Sequence, residues 1–181
     1  MRDYRIVEAT EKEFGIIQRI AHATWPSTFG DILSPEQIDY MLNRMYATEA
    51  LREQVAAGHV YHLLLAPTAA GDATYAPRSG QRYEPVGYIS HQFEYLPRTT
   101  KIHKLYVLPD HQGKGYGKLL IEKVGKLAIR AGQQALRLDV NYRNPAISFY
   151  EGLGFDKIER CNTDIGNGYL MEDWVMIKLL N

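Results

Sequence analysis

Three glycines at alternate positions mark the part of the chain with the strongest chemical signal, the turn His111–Lys118, which reads HQGKGYGK. Glycine allows backbone conformations that other residues avoid, and it lets a ligand come close to the main-chain amides. The helix predicted to follow points its N-terminal N–H groups and the positive end of its dipole at the same place. Lys114 and Lys118 add positive charge. Together these features predict a phosphate site, and a diphosphate suits it best.

Two other nucleotide-binding motifs match this turn less well. A P-loop requires Ser or Thr after Gly-Lys, but Leu119 follows Lys118. A dinucleotide fingerprint requires a third glycine three positions after the second, and Lys118 occupies that position. Asp139 lies at about the spacing expected of a ribose-binding carboxylate. A nucleotide-dependent enzyme is therefore the weaker alternative.

The elements around the turn form a predicted strand–helix–strand unit. Lys101–Leu108 is the first strand, Tyr116–Ala131 the amphipathic helix and Ala135–Val140 the second strand. Such a unit places its two strands parallel to each other. The preceding strand, Val86–Tyr95, is predicted to pair with Lys101–Leu108 in the antiparallel sense through a turn at Pro97-Arg98.

The rest of the chain alternates helical and strand patterns. The residues Trp25, Pro26 and Gly30 predict a break after the first helix. The segment 67–85 holds three prolines and no periodic pattern, which predicts a long loop that is either functional or disordered. The other predicted elements are strands at Tyr4–Glu8, His59–Ala66, Phe155–Glu159 and Tyr169–Lys178, and helices from Glu11, from Ser34, over Thr48–Gly58 and over Pro145–Gly152.

Two blocks of sequence resemble the GNAT family of N-acetyltransferases. Leu105–Pro109 followed by Gln112–Gly117 is similar to the family's acetyl-CoA motif, Gln/Arg-x-x-Gly-x-Gly/Ala after a strand. Asn141, Asn144–Ala146 and Phe149–Phe155 are similar to its second motif block. The resemblance implies an α/β fold: a mixed, mostly antiparallel sheet with a central splayed parallel strand pair and helices on both faces.

The resemblance also implies which residues hold acetyl-CoA as co-substrate. The strand end Leu105–Val107 offers backbone groups to the pantetheine arm and thioester, and the amides of Gly113–Lys118 hold the pyrophosphate. Asn141 and Asn144 bind the CoA arm, and Tyr150 occupies the position of the general acid. The predicted cofactor-binding residues are Leu105, Tyr106, Val107, Gln112, Gly113, Lys114, Gly115, Tyr116, Gly117, Lys118, Asn141, Asn144 and Tyr150.

Acetyl transfer from a thioester to an amine needs an oxyanion donor, an acid and a base. The backbone N–H of Val107 suits the oxyanion, and the phenol of Tyr150 suits protonation of the leaving thiolate. The amine must be neutral to attack, so a base, or a base acting through water, is expected. Some family members carry a carboxylate where this chain has Lys101, which cannot serve. His103, on the same face of the strand, and Glu94, on the neighbouring strand, are the candidates.

The acceptor is predicted only as a class: a polyamine, another small amine or a peptide amine. The segments Trp25–Tyr40 and Asp164–Met176 are similar to the polyamine (spermidine/spermine) acetyltransferase-like branch of the family. Acidic residues in the early helices suit either recruitment of a cationic acceptor or ordinary solvated helix faces. These residues are Asp31, Glu36, Asp39, Glu49 and Glu53.

The main alternative to an enzyme is a non-catalytic acyl-CoA-binding sensor. Lys101, at the position where some members have a carboxylate, leaves room for it. Tyr150 argues against it, because a sensor has no need of an acid.

Composition limits the remaining possibilities. The chain has 181 residues, 21 Lys and Arg against 21 Asp and Glu, and 45% hydrophobic residues. This length predicts a single domain over 1–181. The balanced charge excludes whole-chain capture by nucleic acid or an anionic membrane as the first explanation. The single cysteine, Cys161, cannot form an internal disulfide, and no leader or spanning segment is visible, so a cytoplasmic protein is expected. No metal is expected, and a homodimer is implied only by the family resemblance.

Overall fold

In the computed structural model, residues 4–69 and 81–180 are described, and within them seven strands form one sheet. The strands are β1 Arg5–Ala9, β2 Val60–Thr68, β3 Arg82–Leu96, β4 Thr99–Val107, β5 Ala135–Asn141, β6 Asp156–Gly166 and β7 Tyr169–Leu179. The helices are α1 Phe14–Phe29, α2 Pro35–Tyr46, α3 Thr48–Ala56, α4 Tyr116–Arg130 and α5 Ala146–Gly152. The strand order is β1-β2-β3-β4-β5-β7-β6, and in the described residues β4 and β5 alone pair in parallel. The predicted fold class is therefore confirmed.

A separate hydrophobic core lies on each face of the sheet. Helices α1, α2 and α3 cover one face, and α4 and α5 cover the other. The first core is rich in aromatic rings, and fully burying one large apolar side chain contributes about 1.5–3 kcal/mol. Its centre contains Trp25, Tyr46, Tyr61 and Tyr88. The second core is mainly aliphatic and contains Leu120, Val124, Leu138 and Phe155.

The break predicted at Trp25 and Pro26 is wrong, because α1 continues to Phe29. Proline removes one helical hydrogen bond, which normally disfavours a helix interior. Here the Trp25 side chain is buried and lies 6.1 Å from the Tyr106 ring and 6.0 Å from the Tyr46 ring, measured between centroids. Tertiary packing of Trp25 thus offsets the cost of Pro26. The helix ends where Gly30 N–H donates to the Pro26 carbonyl at 2.9 Å.

The loop predicted over 67–85 is wrong at both of its ends. Strand β2 extends to Thr68 and β3 begins at Arg82, and the two pair in register there, with Pro67 opposite Tyr83. The middle of that segment, 70–80, lies outside the described residues. The ladder between β1 and β2 ends at Leu65, so on that side Pro67 lies beyond the ladder, where a missing N–H is tolerated.

The start of α2 follows the predicted capping pattern. The Ser34 hydroxyl accepts a hydrogen bond from the Gln37 N–H at 3.2 Å, and Pro35 takes the first helical position. This start fixes the helix that presents Met41 and Met45 to the large cleft described below.

A β-bulge in β4 changes which face its side chains occupy. His91 on β3 pairs with Ile102, and Ser90 pairs with Lys104, so His103 is an extra residue without a partner in the ladder. Ile102 therefore packs in the aliphatic core, whereas Lys104 lies over the rings of Tyr46 and Tyr61 in the aromatic core. Simple alternation along the strand would have kept Ile102 and Lys104 on one face.

Close approach of β3 and β4 makes Gly87 a sensitive position. A Cβ added there would lie 2.8 Å from the Tyr106 carbonyl oxygen and 3.1 Å from a Val107 methyl. We expect Gly87→Ala to lower the free energy of unfolding by about 1–3 kcal/mol, measured by denaturant unfolding. The control is Gly15→Ala, where nothing lies within 4 Å and a gain of up to about 1 kcal/mol is expected in a helix. Equal stability of the two variants would contradict this packing.

Candidate active site

The cleft arises because the two parallel strands separate. Strands β4 and β5 pair at only four positions, Thr99–Ile102 against Ala135–Leu138. Beyond them β4 runs on to Val107 and β5 to Asn141 without pairing to each other. A cavity of about 660 Å³ lies beyond this point, and its walls include residues from the unpaired ends of both strands. The predicted splayed strand pair is therefore present, and it leaves main-chain groups of β4 free for a ligand.

The glycine turn closes one end of this cleft. Gly113 and Gly115 have φ values of +70° and +83°, a region that side chains rarely adopt, and Gly115 is the N-cap of α4. The first N–H groups of a helix have no acceptor within the helix. Those of α4 lie beside Gly113, Gly115 and Gly117, all of which line the cleft together with Gln112 and Tyr116. The turn has the geometry of an anion site.

The two lysines of the turn do not line the cleft. Lys114 and Lys118 are exposed, and the Lys118 ammonium lies 3.8 Å from the Glu122 carboxylate one helical turn on. Their side chains thus contribute less to the anion site than the sequence suggests, and the main-chain amides dominate.

Asn141 and Asn144 lie where β5 ends, and both line the cleft. The Asn141 side-chain oxygen accepts from the Arg143 N–H at 3.0 Å, and the Asn144 side-chain oxygen accepts from the Ala146 N–H at 2.9 Å. These bonds orient the side chains and leave their amide N–H groups for a ligand. Their assignment to the CoA arm stays a prediction.

Tyr150 lies on α5, with its ring packed against Phe149 and Phe155 at centroid distances of 5.2 and 5.9 Å. The ring is buried, yet it lines the cleft, and its hydroxyl makes no hydrogen bond within residues 4–69 and 81–180. Burial raises the pKa of Tyr150 to about 12. The phenol is therefore protonated at neutral pH and free to donate.

His103 lines the cleft, whereas Glu94 does not. The His103 ring stacks on His59 at 3.8 Å, and its Nε2 lies 3.0 Å from the Gln92 side-chain oxygen. Burial, followed by the nearby His59 and two lysines, lowers the pKa of His103 to about 2, so it is a weak base. The Glu94 carboxylate instead accepts hydrogen bonds from the side chain of Gln133 and the main chain of Arg98.

Lys101 is held in an ion pair on the face that it shares with His103. Its Nζ lies 2.6 Å from the Asp139 carboxylate, which also accepts from Arg137 Nε at 3.2 Å. Lys101 and His103 both contact the Tyr95 ring, as the alternation of β4 predicts. Asp139, considered above as a ribose ligand, is thus neutralised by two cations.

Sequence reasoning missed Lys104, which also lines the cleft. Its ammonium donates to the Gln54 side chain and to the Tyr61 hydroxyl, the latter at 3.0 Å. No carboxylate lies within 4 Å of it in the described part of the chain. Burial lowers the pKa of Lys104 to about 7. The β-bulge that places this lysine in the aromatic core cannot be predicted from the pattern of hydrophobic residues along β4.

Asp173 on β7 was also missed. It lies opposite Asn141 of β5, is only 7% exposed, and lines the cleft. Burial, and then the neighbouring Asp139, raises the pKa of Asp173 to about 6, with Lys101 and Arg160 opposing the rise. From sequence alone Asp173 is one of several acidic residues in an alternating strand.

The half of the cleft away from the glycine turn is mainly apolar. It is lined by α1, α2, the segment between them and β7, chiefly through Trp25, Phe29, Leu33, Met41, Met45, Leu170 and Met171. The polar residues Ser27, Thr28 and Gln37 complete this part of the lining. The five acidic residues considered for acceptor recruitment are exposed, and none of them lines the cleft. They are Asp31, Glu36, Asp39, Glu49 and Glu53.

Known proteins match both the sequence and the fold. The model of the Acetyltransferase (GNAT) family matches residues 16–155. Thialysine N-epsilon-acetyltransferase of Mus musculus is 28% identical over 159 residues, 85% of each chain. Spermidine N(1)-acetyltransferase of Thermoplasma acidophilum is 27% identical over 154 residues, 84% of this chain and 86% of that protein. The PaiA N-acetyltransferase of T. acidophilum, solved in complex with coenzyme A, superposes with a TM-score of 0.74 at 21% identity, over 98% of this chain and 99% of that one.

The chain therefore belongs to the GNAT family of acetyl-CoA-dependent N-acetyltransferases, as its two sequence blocks predict. Within residues 4–69 and 81–180, no group of three or more His, Cys, Asp or Glu side chains could hold a metal ion. In the same ranges no helix is long and apolar enough to cross a membrane. The cytoplasmic location and the homodimer stay predictions.

The positive φ at Gly115 gives a test of the anion site. We expect Gly115→Val to reduce CoA affinity at least about 100-fold, because the branched side chain strains the turn and blocks approach to its amides. Isothermal titration with CoA measures this. The control is Gly132→Val, which has φ +74° beyond the opposite end of α4 and nothing within 4 Å of its Cβ position. Equal affinity in both variants would disprove the phosphate-binding role of the turn.

The unneutralised Lys104 gives a test of electrostatics. Its folded-state pKa, about 7, lies below the ordinary value of 10.5, so the unfolded chain binds the proton more tightly and the charge destabilises the fold. We expect Lys104→Met to stabilise the protein by about 1–3 kcal/mol at pH 6. The gain should shrink as the pH rises above 7 and vanish near 10.5.

Thermal unfolding across this pH range measures that gain. Lys118→Met removes an exposed lysine and should change stability by less than about 0.5 kcal/mol. A Lys104→Met protein less stable than the wild type at pH 6 would contradict the assignment.

Proposed function

We propose that this protein transfers the acetyl group of acetyl-CoA to a primary amine by direct attack of the amine on the thioester in a ternary complex. The observation that carries the proposal is one continuous cleft with the glycine turn at one end and a mainly apolar compartment at the other end. The wall of this cleft holds Tyr150, an acid whose hydroxyl makes no hydrogen bond to the described residues. The family supplies the co-substrate, and the two relatives quoted above act, by their names, on amines.

The end of β4 supports the oxyanion role proposed for Val107. The N–H of Leu108 donates to the Val86 carbonyl on β3 at 2.8 Å. Successive residues of a strand point their main-chain polar groups to opposite sides, so the Val107 N–H points away from β3, toward the cleft. The orientation of the Val107 carbonyl supports this direction, because the carbonyl accepts a hydrogen bond from the Gln112 side chain at 3.0 Å rather than from β3. A donor in this place stabilises the tetrahedral oxyanion.

Tyr150 supplies the proton for the leaving group. When the C–S bond breaks, CoA leaves as a thiolate, which accepts the phenol proton. The phenolate then recovers a proton from the nitrogen of the new amide. The high pKa of Tyr150 keeps the acid loaded at neutral pH.

A covalent acetyl-enzyme is not supported. Cys161, the one cysteine of the chain, lies on β6 with its sulfur 3.8 Å from the Thr163 hydroxyl, and it does not line the cleft. The proposed direct attack of the amine on the thioester does not need this cysteine.

Release of CoA from acetyl-CoA in the presence of an amine panel tests the proposal. The panel holds spermidine, spermine, phenethylamine, butylamine and a lysine-bearing peptide. Turnover with any of them supports the enzyme. Tight binding of acetyl-CoA with no turnover on any amine would overturn the proposal and favour the sensor instead.

Replacing the acid separates chemistry from binding. We expect Tyr150→Phe to lower kcat about 10²–10⁴-fold, because the thiolate then leaves unprotonated. The dissociation constant of acetyl-CoA should change less than about threefold, because the packing of the ring is kept. The control is Tyr142→Phe, which alters a more exposed tyrosine outside the cleft. Unchanged turnover in Tyr150→Phe would remove Tyr150 from the mechanism.

A further inference from the structure

Asp173 is a buried carboxylate that has no partner in the part of the chain that the structure describes. No hydrogen bond to its side chain and no cation within 4.0 Å of it occurs in residues 4–69 and 81–180. Buried carboxylates are normally paired or hydrogen-bonded, because removing the charge from water is costly. Asp173 lines the cleft. The carboxylate is therefore placed to receive a cation that is not part of the protein.

The protein's nearby cations are already engaged elsewhere. Lys101 and Arg137 bond to Asp139, at 2.6 and 3.2 Å. The Arg160 guanidinium lies over the Tyr142 and Trp174 rings at 4.1 and 5.2 Å. None of the three neutralises Asp173 directly.

The position of Asp173 in the cleft suits the acceptor amine. It is level with Asn141, just past the point where β4 and β5 separate. Asp173 lines the same cleft as Tyr106 and the proposed acid, Tyr150. Beyond Asp173 on the same strand, Met171 and Leu170 continue into the apolar compartment.

We infer that Asp173 binds the ammonium group of the acceptor and takes its proton, and that the acceptor is a primary amine with one positive charge on an apolar body. This inference rests on the proposed function and deepens it. It makes Asp173 a catalytic residue, in the place for which His103 and Glu94 were the candidates from sequence.

The proton balance follows from these groups. The bound ammonium gives one proton to the Asp173 carboxylate and becomes a neutral amine. Its lone pair forms the C–N bond to the thioester carbon, the C–S bond breaks, and the thiolate takes the Tyr150 proton. The amide nitrogen gives up its remaining extra proton to the phenolate, and Asp173 returns its proton to water. Burial helps the first transfer, because it lowers an amine's pKa, as it does for Lys104.

The lining of the compartment argues against a polyamine. Asp173 and Asp139 are the carboxylates that line the cleft in the described part of the chain, and Asp139 is neutralised by two cations. Each further ammonium of spermidine would lie among Trp25, Phe29 and the methionines without a counter-charge. A single ammonium on an aromatic or aliphatic body meets both requirements.

Steady-state kinetics with acetyl-CoA provide the test. In the wild type, kcat/KM should be at least about 10-fold higher for phenethylamine than for spermidine. Asp173→Asn should lower kcat/KM for phenethylamine about 100-fold or more and leave the dissociation constant of acetyl-CoA unchanged. The control is Glu172→Gln, which neutralises the adjacent acid outside the cleft and should keep full activity.

The melting temperature of Asp173→Asn distinguishes a catalytic role from a structural one. If Asp173 only stabilised the fold, its replacement would lower Tm. The pKa of Asp173, about 6 in the folded state, lies above its ordinary value of 3.8. The charge therefore destabilises the fold above pH 6 and has no effect below about pH 4. Asp173→Asn should raise Tm by about 2–4 °C at pH 7 while activity falls, and the gain should disappear near pH 4. Asp139, Lys101 and Arg160 are the charged groups that, with burial, set this window. Tyr106 and Tyr150 stay neutral across it, because burial raises the pKa of each phenol.

The outcomes separate the two proposals. If the wild type acetylates amines but Asp173→Asn keeps its activity or loses Tm, the role of Asp173 is wrong and the enzyme stands. Loss of activity in Lys104→Met with a fully active Asp173→Asn would assign the base to Lys104 instead. A preference for spermidine over phenethylamine would overturn the acceptor class. If no amine of the panel is acetylated, the proposed function fails, and this inference with it.

Discussion

The separation of two parallel strands is the constraint on which the rest of this structure depends. Strands β4 and β5 pair over only four residue pairs. Beyond Ile102 and Leu138, the main-chain groups of the two strands no longer pair with each other. Unpaired main-chain groups in a protein interior are costly unless a ligand or water satisfies them. Each face of the sheet is covered there by one of the two cores. Helix α4 packs on one face, and the aromatic rings around Trp25 pack on the other.

The same cleft holds charges in unfavourable surroundings. Among the described residues, Lys104 is buried with no carboxylate within 4.0 Å, and Asp173 is buried with no cation within 4.0 Å. They do not neutralise each other, since no ion pair joins them. Two such groups reduce stability on their own. A site that must bind an ammonium and then remove its proton needs a carboxylate base that is not already paired. The same lack of a partner therefore makes Asp173 destabilising and makes it available to the amine.

The sequence predicts those features of the structure that are determined by residues close together in the chain. The turn at Gly113 and Gly115, the helix after it and the cap at Ser34 were all predicted, because each depends on residues a few positions apart. The course of α1 through Pro26 was not, because the ring of Trp25 is fixed by residues of distant segments. The bulge at His103 is set by the register between β3 and β4, which no single-strand pattern contains.

Candidate site residues divide in the same way. The glycine turn, the two asparagines and Tyr150 belong to motifs with fixed spacing, and the structure brings them to one cleft. The base has no such motif, and alternation along β4 led to His103, whose own burial makes it a poor proton acceptor. Asp173 comes from a strand remote in sequence and next to β5 in space. The proposed base acts on the acceptor amine, so it lies on β7, the strand beside the acceptor compartment. Its position follows from the order of the strands in the sheet rather than from a sequence motif near the cofactor.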